Sequence, residues 1–329
     1  MYESYYGLSA KPFRQHPDPH FFFASKGHKR AMAYLEYGLS QGEGFIVITG
    51  EVGAGKTTLV RNMLNKLAQQ QIVAAYLVNT QLNPEEILRM VLSAFGLPSE
   101  EGGKSALLLR LEHFLRGCAR EGKRALLIVD EAQNLTPRTV EELRMLSNVQ
   151  TDDGSLLQTF LLGQPEFRAT LHSPELRQLR QRVIATYHLG PMDAPETRGY
   201  IEHRLRTVGW SGAPSFTSQA HAAIYAHSGG VPRMTNHLCD RLLLMGFLEE
   251  LRAFDAEHVA EVVGDIRAEF DAPPTTPPDD AAPGDPAYPG SIDERMLRLE
   301  KTLMSVLNIL KKVVTAPVNA NAYTVENNE

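Results

Sequence analysis

The stretch GEVGAGKTTL at residues 50–59 constrains the fold of this chain more than any other stretch. It directly follows the apolar run FIVIT at residues 45–49 and matches G-x-x-x-x-G-K-[ST] at every fixed position. Glycines let a backbone wrap around phosphate groups with its N–H groups pointing inward, and the following helix offers its positive N-terminus. The stretch therefore predicts a nucleotide site formed by consecutive residues: Gly50, Glu51, Val52, Gly53, Ala54, Gly55, Lys56, Thr57 and Thr58.

Charged and hydroxyl side chains supply the chemistry that such a site needs. Lys56 would place a compact positive charge on the β- and γ-phosphates of ATP, and the Thr57 hydroxyl would bind Mg²⁺. The apolar run ALLIVD at residues 125–130 ends in Asp130, which would hold the same Mg²⁺ directly or through water. Glu131 follows and would polarise the attacking water, so the parts for ATP hydrolysis are present.

Short apolar runs alternate with helical patterns in the first part of the chain. Strands are predicted at 45–49, 73–79, 125–130, 156–163 and 183–189, and helices near 56–70, 84–95, 104–120, 137–149 and 165–181. This alternation predicts an α/β fold, in which a parallel five-stranded sheet is covered by helices on both faces. From Pro191 to about Phe270 only helical patterns remain, roughly four of them, which predicts an all-α lid.

The organisation predicted for the whole chain has five parts. They are an α/β nucleotide-binding domain with an aromatic-rich N-terminal segment (1–190), a helical lid (191–270), a disordered linker (271–290), an amphipathic coiled-coil helix (291–314) and a disordered tail (315–329). The linker carries seven prolines, four aspartates and no basic residue, so it cannot bury a core. In the amphipathic helix, apolar residues recur at alternating spacings of four and three, as in a coiled-coil seam.

Two polar residues at the ends of predicted strands would act beside Glu131. Asn79 ends the second strand and would hold Glu131 away from water until a partner binds; a plain strand-end asparagine is the alternative. Gln164 directly follows the run LLQTFLLG and would orient the attacking water or the γ-phosphate. A residue without such a role is the alternative there as well.

Arginines in two helical segments are candidates for contacts with the γ-phosphate. Arg177, Arg180 and Arg182 lie just before the last strand, and an arginine there would reach the γ-phosphate of a neighbouring subunit. We favour Arg182 over Arg180 for this role, and a solvated basic helix face is the alternative. Arg233 follows Pro232, a residue type favoured in the first turn of a helix, and would project across the domain cleft towards phosphate.

Net charge, cysteine content and the lengths of the apolar runs indicate which partners, disulfides and cellular location to expect. The net charge of −6 and a sequence pI of about 6.0 give no global basic field to attract nucleic acid. Cys118 and Cys239 lie in apolar-periodic stretches without a partner spacing, so buried thiols are expected. The first residues lack a signal-peptide pattern, and no apolar run approaches the roughly 18 residues that span a bilayer. We therefore predict a cytoplasmic protein that would reach the inner membrane only through a partner.

Taken together, these motifs resemble the AAA+ ATPases over residues 1 to about 268. More narrowly they resemble the general secretion pathway protein A (ExeA-like) branch, and within it the secretion ATPases of exosortase (PEP-CTERM) and exopolysaccharide loci. The stretches that carry this resemblance are YYGLSAKPFRQHPDPHFFF, GEVGAGKTTL, LLIVDEAQNL, LLGQPEF and GGVPRMTNHLCDRLL. It implies sheet order 5-1-4-3-2, a helical lid and ATP-driven homo-oligomers. Secretion-type relatives continue into a membrane span and a cell-wall-binding domain, where this chain has a linker and a short heptad helix.

Three functions are compatible with these features. The leading hypothesis is a Mg²⁺-dependent ATPase that powers or regulates assembly of an envelope export, protein-sorting or exopolysaccharide apparatus, which the C-terminal helix would contact. Because transposition ATPases that bind DNA share the core, a nucleotide-switched DNA-binding regulator is an alternative. The acidic balance and the lack of a Lys/Arg-rich segment disfavour it. A non-hydrolysing ATP-switched scaffold is the third hypothesis, which Glu131 and Arg233 disfavour.

Overall fold

A parallel five-stranded sheet forms the centre of the protein in the computed structural model, which describes residues 1–67, 71–78, 83–151 and 154–271. The strands of these residues are β1 (Phe45–Gly50), β2 (Ile72–Leu77), β3 (Arg124–Val129), β4 (Gln150–Thr151), β5 (Gly154–Ser155), β6 (Leu157–Gly163), β7 (Val183–Leu189), β8 (Ser215–Phe216) and β9 (Ala253–Phe254). The sheet has the order β2-β3-β6-β1-β7, and each neighbouring pair is parallel. If these five strands are numbered 1 to 5 in chain order and the sheet is read from β7 to β2, the order is 5-1-4-3-2. The predicted fold class and sheet order are therefore confirmed.

Burial on both faces explains the apolar sequences of the central strands. All residues of β1 and β6 are buried, and so are the five residues of β3 that follow Arg124. Such strands occur where helices cover both faces of a parallel sheet. The α-helices of the described residues are α1 (Tyr2–Tyr6), α2 (Lys26–Gln41), α3 (Lys56–Leu67), α4 (Glu86–Ala94), α5 (Lys104–Arg120), α6 (Pro137–Leu146), α7 (Glu166–His172), α8 (Arg177–Arg180), α9 (Ala194–Thr207), α10 (Ser218–Ser228), α11 (Pro232–Leu248) and α12 (Ala256–Asp271).

The carboxyl ends of three adjacent strands meet at one edge of the sheet. In the pairing register Thr49 lies beside Gly163, and Val129 lies beside Leu161. The phosphate loop follows β1, the two acids follow β3 and Gln164 follows β6. Parallel pairing therefore places three distant parts of the sequence next to one another at the edge where open α/β sheets bind their ligands.

The helical lid contains one element that the sequence patterns do not predict. The two-residue strands β8 and β9 pair in parallel within the part of the chain where only helices are predicted. Strands this short carry no detectable alternation of apolar and polar residues, since a period of two needs several residues to be visible.

The aromatic N-terminal segment shares its hydrophobic core with the lid. Residues of α9, α10, α11 and α12 pack in one cluster with five buried residues of this segment, namely Tyr2, Tyr6, Leu8, Phe13 and Phe21. The predicted domain boundaries place this segment with the α/β domain, because the spacing of aromatic residues does not show which surface will bury them. The segment thus ties the lid to the residues that precede the sheet.

Arg204 on α9 fixes the N-terminal segment to the lid. Its side chain is buried, and it donates hydrogen bonds to the carbonyl oxygens of Pro12 at 2.5 Å and Arg14 at 3.3 Å. A third hydrogen bond reaches the hydroxyl oxygen of Tyr200 at 2.8 Å, and the guanidinium carbon lies 4.6 Å from the ring centre of Phe21. Burial raises the pKa of Tyr200, so its hydroxyl keeps its proton and can donate one hydrogen bond while it accepts the one from Arg204.

Replacing Arg204 should therefore destabilise the fold. Arg204→Leu leaves two carbonyl oxygens and a hydroxyl without their donor, and we expect a loss of about 3 kcal/mol in the free energy of unfolding. The matched control is Arg206→Leu on the same helix, because the Arg206 side chain is 64% exposed and forms a surface ion pair with Glu202. This control should change the free energy by about 0.5 kcal/mol or less. Equal urea midpoints for the two variants would contradict the assigned role of Arg204.

Several predicted features lie outside the described residues. They are Asn79, the linker from residue 272 onward, the amphipathic helix at 291–314 and the tail at 315–329. The described residues up to Asp271 form one compact unit. None of the helices in this part of the chain is long and apolar enough to cross a membrane.

Candidate functional site

The loop between β1 and α3 adopts the backbone that its glycines permit. Gly53 and Gly55 have φ values of 81° and 95°, in the left-handed region that side chains with a Cβ disfavour. A Cβ at Gly53 would also lie 2.2 Å from the Cβ of Arg233 on the lid helix. Glycine is thus required at this position both for the turn and for the close approach of the lid.

Lys56, the first residue of α3, directs its ammonium back onto the loop. The side chain is buried, and Nζ donates hydrogen bonds to the carbonyl oxygens of Gly50 at 2.6 Å and Glu51 at 3.0 Å. Burial lowers the pKa of Lys56, and the negative charges of Glu131 and Asp130 act in the opposite direction. A polyphosphate in the loop would add negative charge beside this ammonium and would favour its charged form.

Asp130 follows the end of β3, and its carboxylate accepts hydrogen bonds from residues of two neighbouring elements, α3 and β2. Its Oδ2 atom accepts hydrogen bonds from the hydroxyl of Thr57 at 2.7 Å and from the hydroxyl of Tyr76 at 2.5 Å. Its Oδ1 atom accepts the backbone N–H of Glu131 at 2.9 Å. The predicted pair of Mg²⁺ ligands, Thr57 and Asp130, is therefore in direct contact.

Glu131 leaves the strand in a conformation that is rare for residues other than glycine. Its φ is 54°, and the chain continues into a single 3-10 turn at Ala132–Asn134. The Oε2 atom accepts hydrogen bonds from the side-chain amides of Gln133 at 2.5 Å and Gln164 at 3.2 Å. The structure thus brings two predicted site residues, Glu131 and Gln164, together at the ends of adjacent strands.

Arg233 lies on the lid side of the same site. Pro232 begins α11, and the backbone N–H of Arg233 donates to the carbonyl oxygen of Gly53 at 3.2 Å. The lid helix therefore starts on the phosphate loop itself. Arg233 lines the same cavity as Lys56 and Glu131, as the sequence predicts for a residue that crosses the cleft.

A cavity of about 350 Å³ lies beside the phosphate loop, and Asp130 and Gln164 are not among the residues that line it. Its walls come from the phosphate loop, the N-terminal segment and the lid helices α9 and α11. Among the predicted residues, those that line it are Val52, Gly53, Gly55, Lys56, Thr57, Thr58, Glu131 and Arg233. Gly50 and Glu51 contribute the carbonyl oxygens that hold Lys56, while Ala54 is buried among the apolar residues behind the loop. The volume falls within the range of small-molecule sites in proteins.

Arg182 lies away from this cavity. It precedes β7, and its carbonyl oxygen accepts the N–H of Phe45 at 2.9 Å, where β1 begins. This is the edge of the sheet opposite to the phosphate loop. Its guanidinium donates to the hydroxyl of Ser147 at 2.9 Å within the same chain. A contact between Arg182 and a nucleotide would therefore need a second subunit, which is the role predicted for this residue from the sequence.

Several residues of the site are absent from the sequence predictions. They include cavity-lining residues of the N-terminal segment, α9 and α11, and three residues that lie against the predicted groups. Tyr76 and Gln133 contact the two acids, and His28 lies beneath the loop, where its Nδ1 atom is 2.7 Å from the hydroxyl oxygen of Ser25. A Cβ at Gly55 would lie 2.8 Å from the Nε2 atom of His28, and burial lowers the pKa of this histidine. Only Gln133 carries a signal in the sequence, since it lies two residues after Glu131 in the acid motif.

The loop, the paired acids and the sheet order define a P-loop NTPase. Residues 39–171 match the family described as an AAA domain. General secretion pathway protein A of Aeromonas hydrophila is 41% identical over 249 residues, which are 75% of this chain and 45% of that protein. The chain belongs to the AAA+ ATPases of the general secretion pathway protein A type. It spans about half the length of that relative.

Two solved structures show how the fold compares with distant proteins. The ORC2 protein of Aeropyrum pernix, described in ADPNP–ADP complexes, aligns with a TM-score of 0.58 and 18% identity over 78% of this chain and 72% of that chain. The Cdc6p protein of Pyrobaculum aerophilum aligns with a TM-score of 0.58 and 14% identity over 80% and 71% of the two chains. At these identities the alignments show a common AAA+ fold and carry no further argument about function.

Proposed function

We propose that the protein binds ATP with Mg²⁺ and hydrolyses it. The observation that carries the proposal is the position of Glu131, a carboxylate that lines the same cavity as Lys56 and Thr57. A protein that only binds a nucleotide needs the loop and the lysine. A second acid that would lie beside the γ-phosphate is the additional part that hydrolysis requires.

Each residue of the site would have a separate role in binding or hydrolysis. Lys56 and the loop N–H groups would hold the β- and γ-phosphates, and Arg233 would contact the phosphates from the lid. Glu131 would accept a proton from the attacking water, which Gln164 would orient. Asn79 would restrain Glu131 from the end of the second strand, as predicted above.

Thr57 and Asp130 are suited to hold the metal ion. A hydroxyl and a carboxylate are the oxygen ligands that Mg²⁺ prefers, and the two side chains already touch at 2.7 Å. When bound, Mg²⁺ would neutralise negative charge on the phosphates. The hydroxyl of Tyr76 on the same Asp130 oxygen fixes the carboxylate in place.

Removal of the loop lysine tests the proposal. Lys56→Ala deletes the buried ammonium, and we expect ATP to bind about 10- to 100-fold more weakly because a charge-assisted contact contributes roughly 1.5–3 kcal/mol. Phosphate release should be lost as well. Lys123→Ala is the matched control, because this lysine is exposed at the opposite edge of the sheet. Unchanged ATP affinity in Lys56→Ala, measured by calorimetry, would overturn the assignment of the site.

A separate proposal concerns the cellular process in which this ATPase acts. We infer that it powers or regulates assembly of an envelope export or sorting apparatus, in a cytoplasmic protein recruited to the inner membrane by a partner. The support is the 41% identity to a protein named for a secretion pathway. A homo-oligomer and a role in exosortase or exopolysaccharide systems are further parts of this proposal, which the resemblance in the sequence suggests.

A further inference from the structure

Gln133 connects the two functional residues that follow adjacent strands. Its side-chain amide nitrogen donates to Oε2 of Glu131 at 2.5 Å, and its side-chain oxygen accepts the backbone N–H of Gln164 at 3.0 Å. The side-chain nitrogen of Gln164 donates to the same oxygen of Glu131 at 3.2 Å. These three hydrogen bonds close a ring that joins the end of β3 to the end of β6.

The chemistry of this ring requires an amide at position 133. The ring needs a donor towards a carboxylate at one end and an acceptor towards a backbone N–H at the other. Glutamate would accept from Gln164 but could not donate to Glu131 while ionised, and methionine of similar length could do neither well. The left-handed φ of Glu131 and the 3-10 turn at Ala132–Asn134 bend the chain so that Gln133 returns to Glu131.

We propose that Gln133 is a positioning residue for hydrolysis, an inference that rests on the proposed ATPase function. It holds the carboxylate of Glu131 and the amide of Gln164 at a fixed separation, so that the water and the γ-phosphate meet both groups together. Of the three members of the ring, Glu131 lines the cavity, while Gln133 and Gln164 lie behind it, so Gln133 acts through the residues that it holds. Misplacement of a reacting group by about 1 Å costs roughly 100-fold in rate.

Two substitutions separate the two ends of the ring. Gln133→Met removes both the donor and the acceptor, whereas Gln133→Glu keeps the acceptor for Gln164 and places a second carboxylate against Glu131. We expect kcat to fall about 10- to 100-fold in both variants, with the affinity for a non-hydrolysable ATP analogue unchanged within about 2-fold. Gln219→Met on α10 is the control, because this glutamine is exposed on the lid.

A double-mutant cycle distinguishes positioning from a general loss of structure. In a Glu131→Gln background, Gln133→Met should lower the residual rate by less than about 2-fold, since its effect passes through the carboxylate that is already absent. If Gln133→Met lowers the rate by the same factor in the parent and in the Glu131→Gln protein, the inference is overturned. A parallel loss of analogue affinity and thermal stability would overturn it too, because it would assign Gln133 a purely structural role.

Hydrogen–deuterium exchange at the backbone amide of Gln164 provides a readout that is independent of hydrolysis. This amide should exchange several-fold faster in Gln133→Met than in the parent chain, and at the parent rate in Gln133→Glu. Equal exchange rates of this amide in Gln133→Met and in the parent would show that the ring of hydrogen bonds does not form, whatever the ATPase activity.

The activity of the parent separates failure of this inference from failure of the proposed function. If the parent hydrolyses ATP and Gln133→Met matches its kcat, only the positioning role fails. If the parent binds ATP without hydrolysing it, the proposed function fails, and the role of Gln133 in hydrolysis fails with it.

Discussion

Glu131→Gln should bind ATP with the affinity of the parent chain and release phosphate roughly 10²- to 10⁴-fold more slowly, the usual contribution of a general base. The substitution preserves the shape of the side chain and leaves Lys56 and the loop unchanged. It removes a carboxylate that lines the cavity together with Lys56 and Thr57, the group to which we assign the proton of the attacking water. The loss should therefore appear in kcat and leave the binding step intact.

Two measurements on the same samples check this result. Calorimetry with ATP gives the affinity, and a coupled phosphate assay gives the turnover. Glu112→Gln on α5 serves as the control, because Glu112 pairs with Arg116 on the exposed face of that helix. A Glu131→Gln protein that hydrolyses ATP at the parent rate would show that another group activates the water.

Arg182→Ala should abolish turnover by roughly 10³- to 10⁵-fold while ATP affinity stays nearly intact, if Arg182 reaches the γ-phosphate of a neighbouring subunit. Its guanidinium is held in its own subunit by the Ser147 hydroxyl at 2.9 Å. Ser147→Ala should therefore leave most of the activity, because it releases the arginine without removing it. Arg180→Ala and Arg177→Ala test the choice of arginine. Arg180 is the alternative named in the sequence analysis and donates to the carbonyl oxygen of Ser173 at 2.6 Å, whereas Arg177 is exposed in the same segment.

Mixing experiments show whether the contact passes between subunits. Arg182→Ala retains an intact loop and Lys56→Ala retains an intact arginine, so a mixture should recover part of the activity that each protein lacks alone. Turnover per subunit should also fall on dilution. A protein that is monomeric by light scattering and keeps its specific activity on dilution would rule out the contact in trans. Loss of activity in Arg180→Ala or Arg177→Ala but not in Arg182→Ala would move the role to that arginine.

The central part of the site could be predicted because its signals are local in the sequence. The phosphate loop needs glycines at fixed spacings, and the acid strand needs an apolar run that ends in carboxylates, so both are visible within ten residues. Parallel pairing then places Asp130 and Gln164 beside the loop without further information. The contact between Thr57 and Asp130 follows from the same arrangement.

The remaining contacts depend on register and on packing between distant elements. Tyr76 reaches Asp130 because β2 pairs with β3 so that Tyr76 lies beside Ile128, a register that apolar runs alone do not fix. His28 lies under the loop because α2 packs on the sheet, and its sequence neighbours give no sign of a functional site. The N-terminal aromatic residues likewise gave no indication that they would complete the core of the lid.

Phosphate release from ATP by the purified full chain is the measurement that tests the account most directly. It should be made with Mg²⁺ or with EDTA, over a range of protein concentrations, and in the presence of inner-membrane vesicles or of DNA. The account predicts release that saturates with ATP, requires Mg²⁺, disappears in Glu131→Gln and responds to membranes carrying the partner more than to DNA. ATP that binds tightly but is never hydrolysed above the level of Glu131→Gln, with or without membranes and DNA, would contradict the account and indicate a nucleotide-switched scaffold.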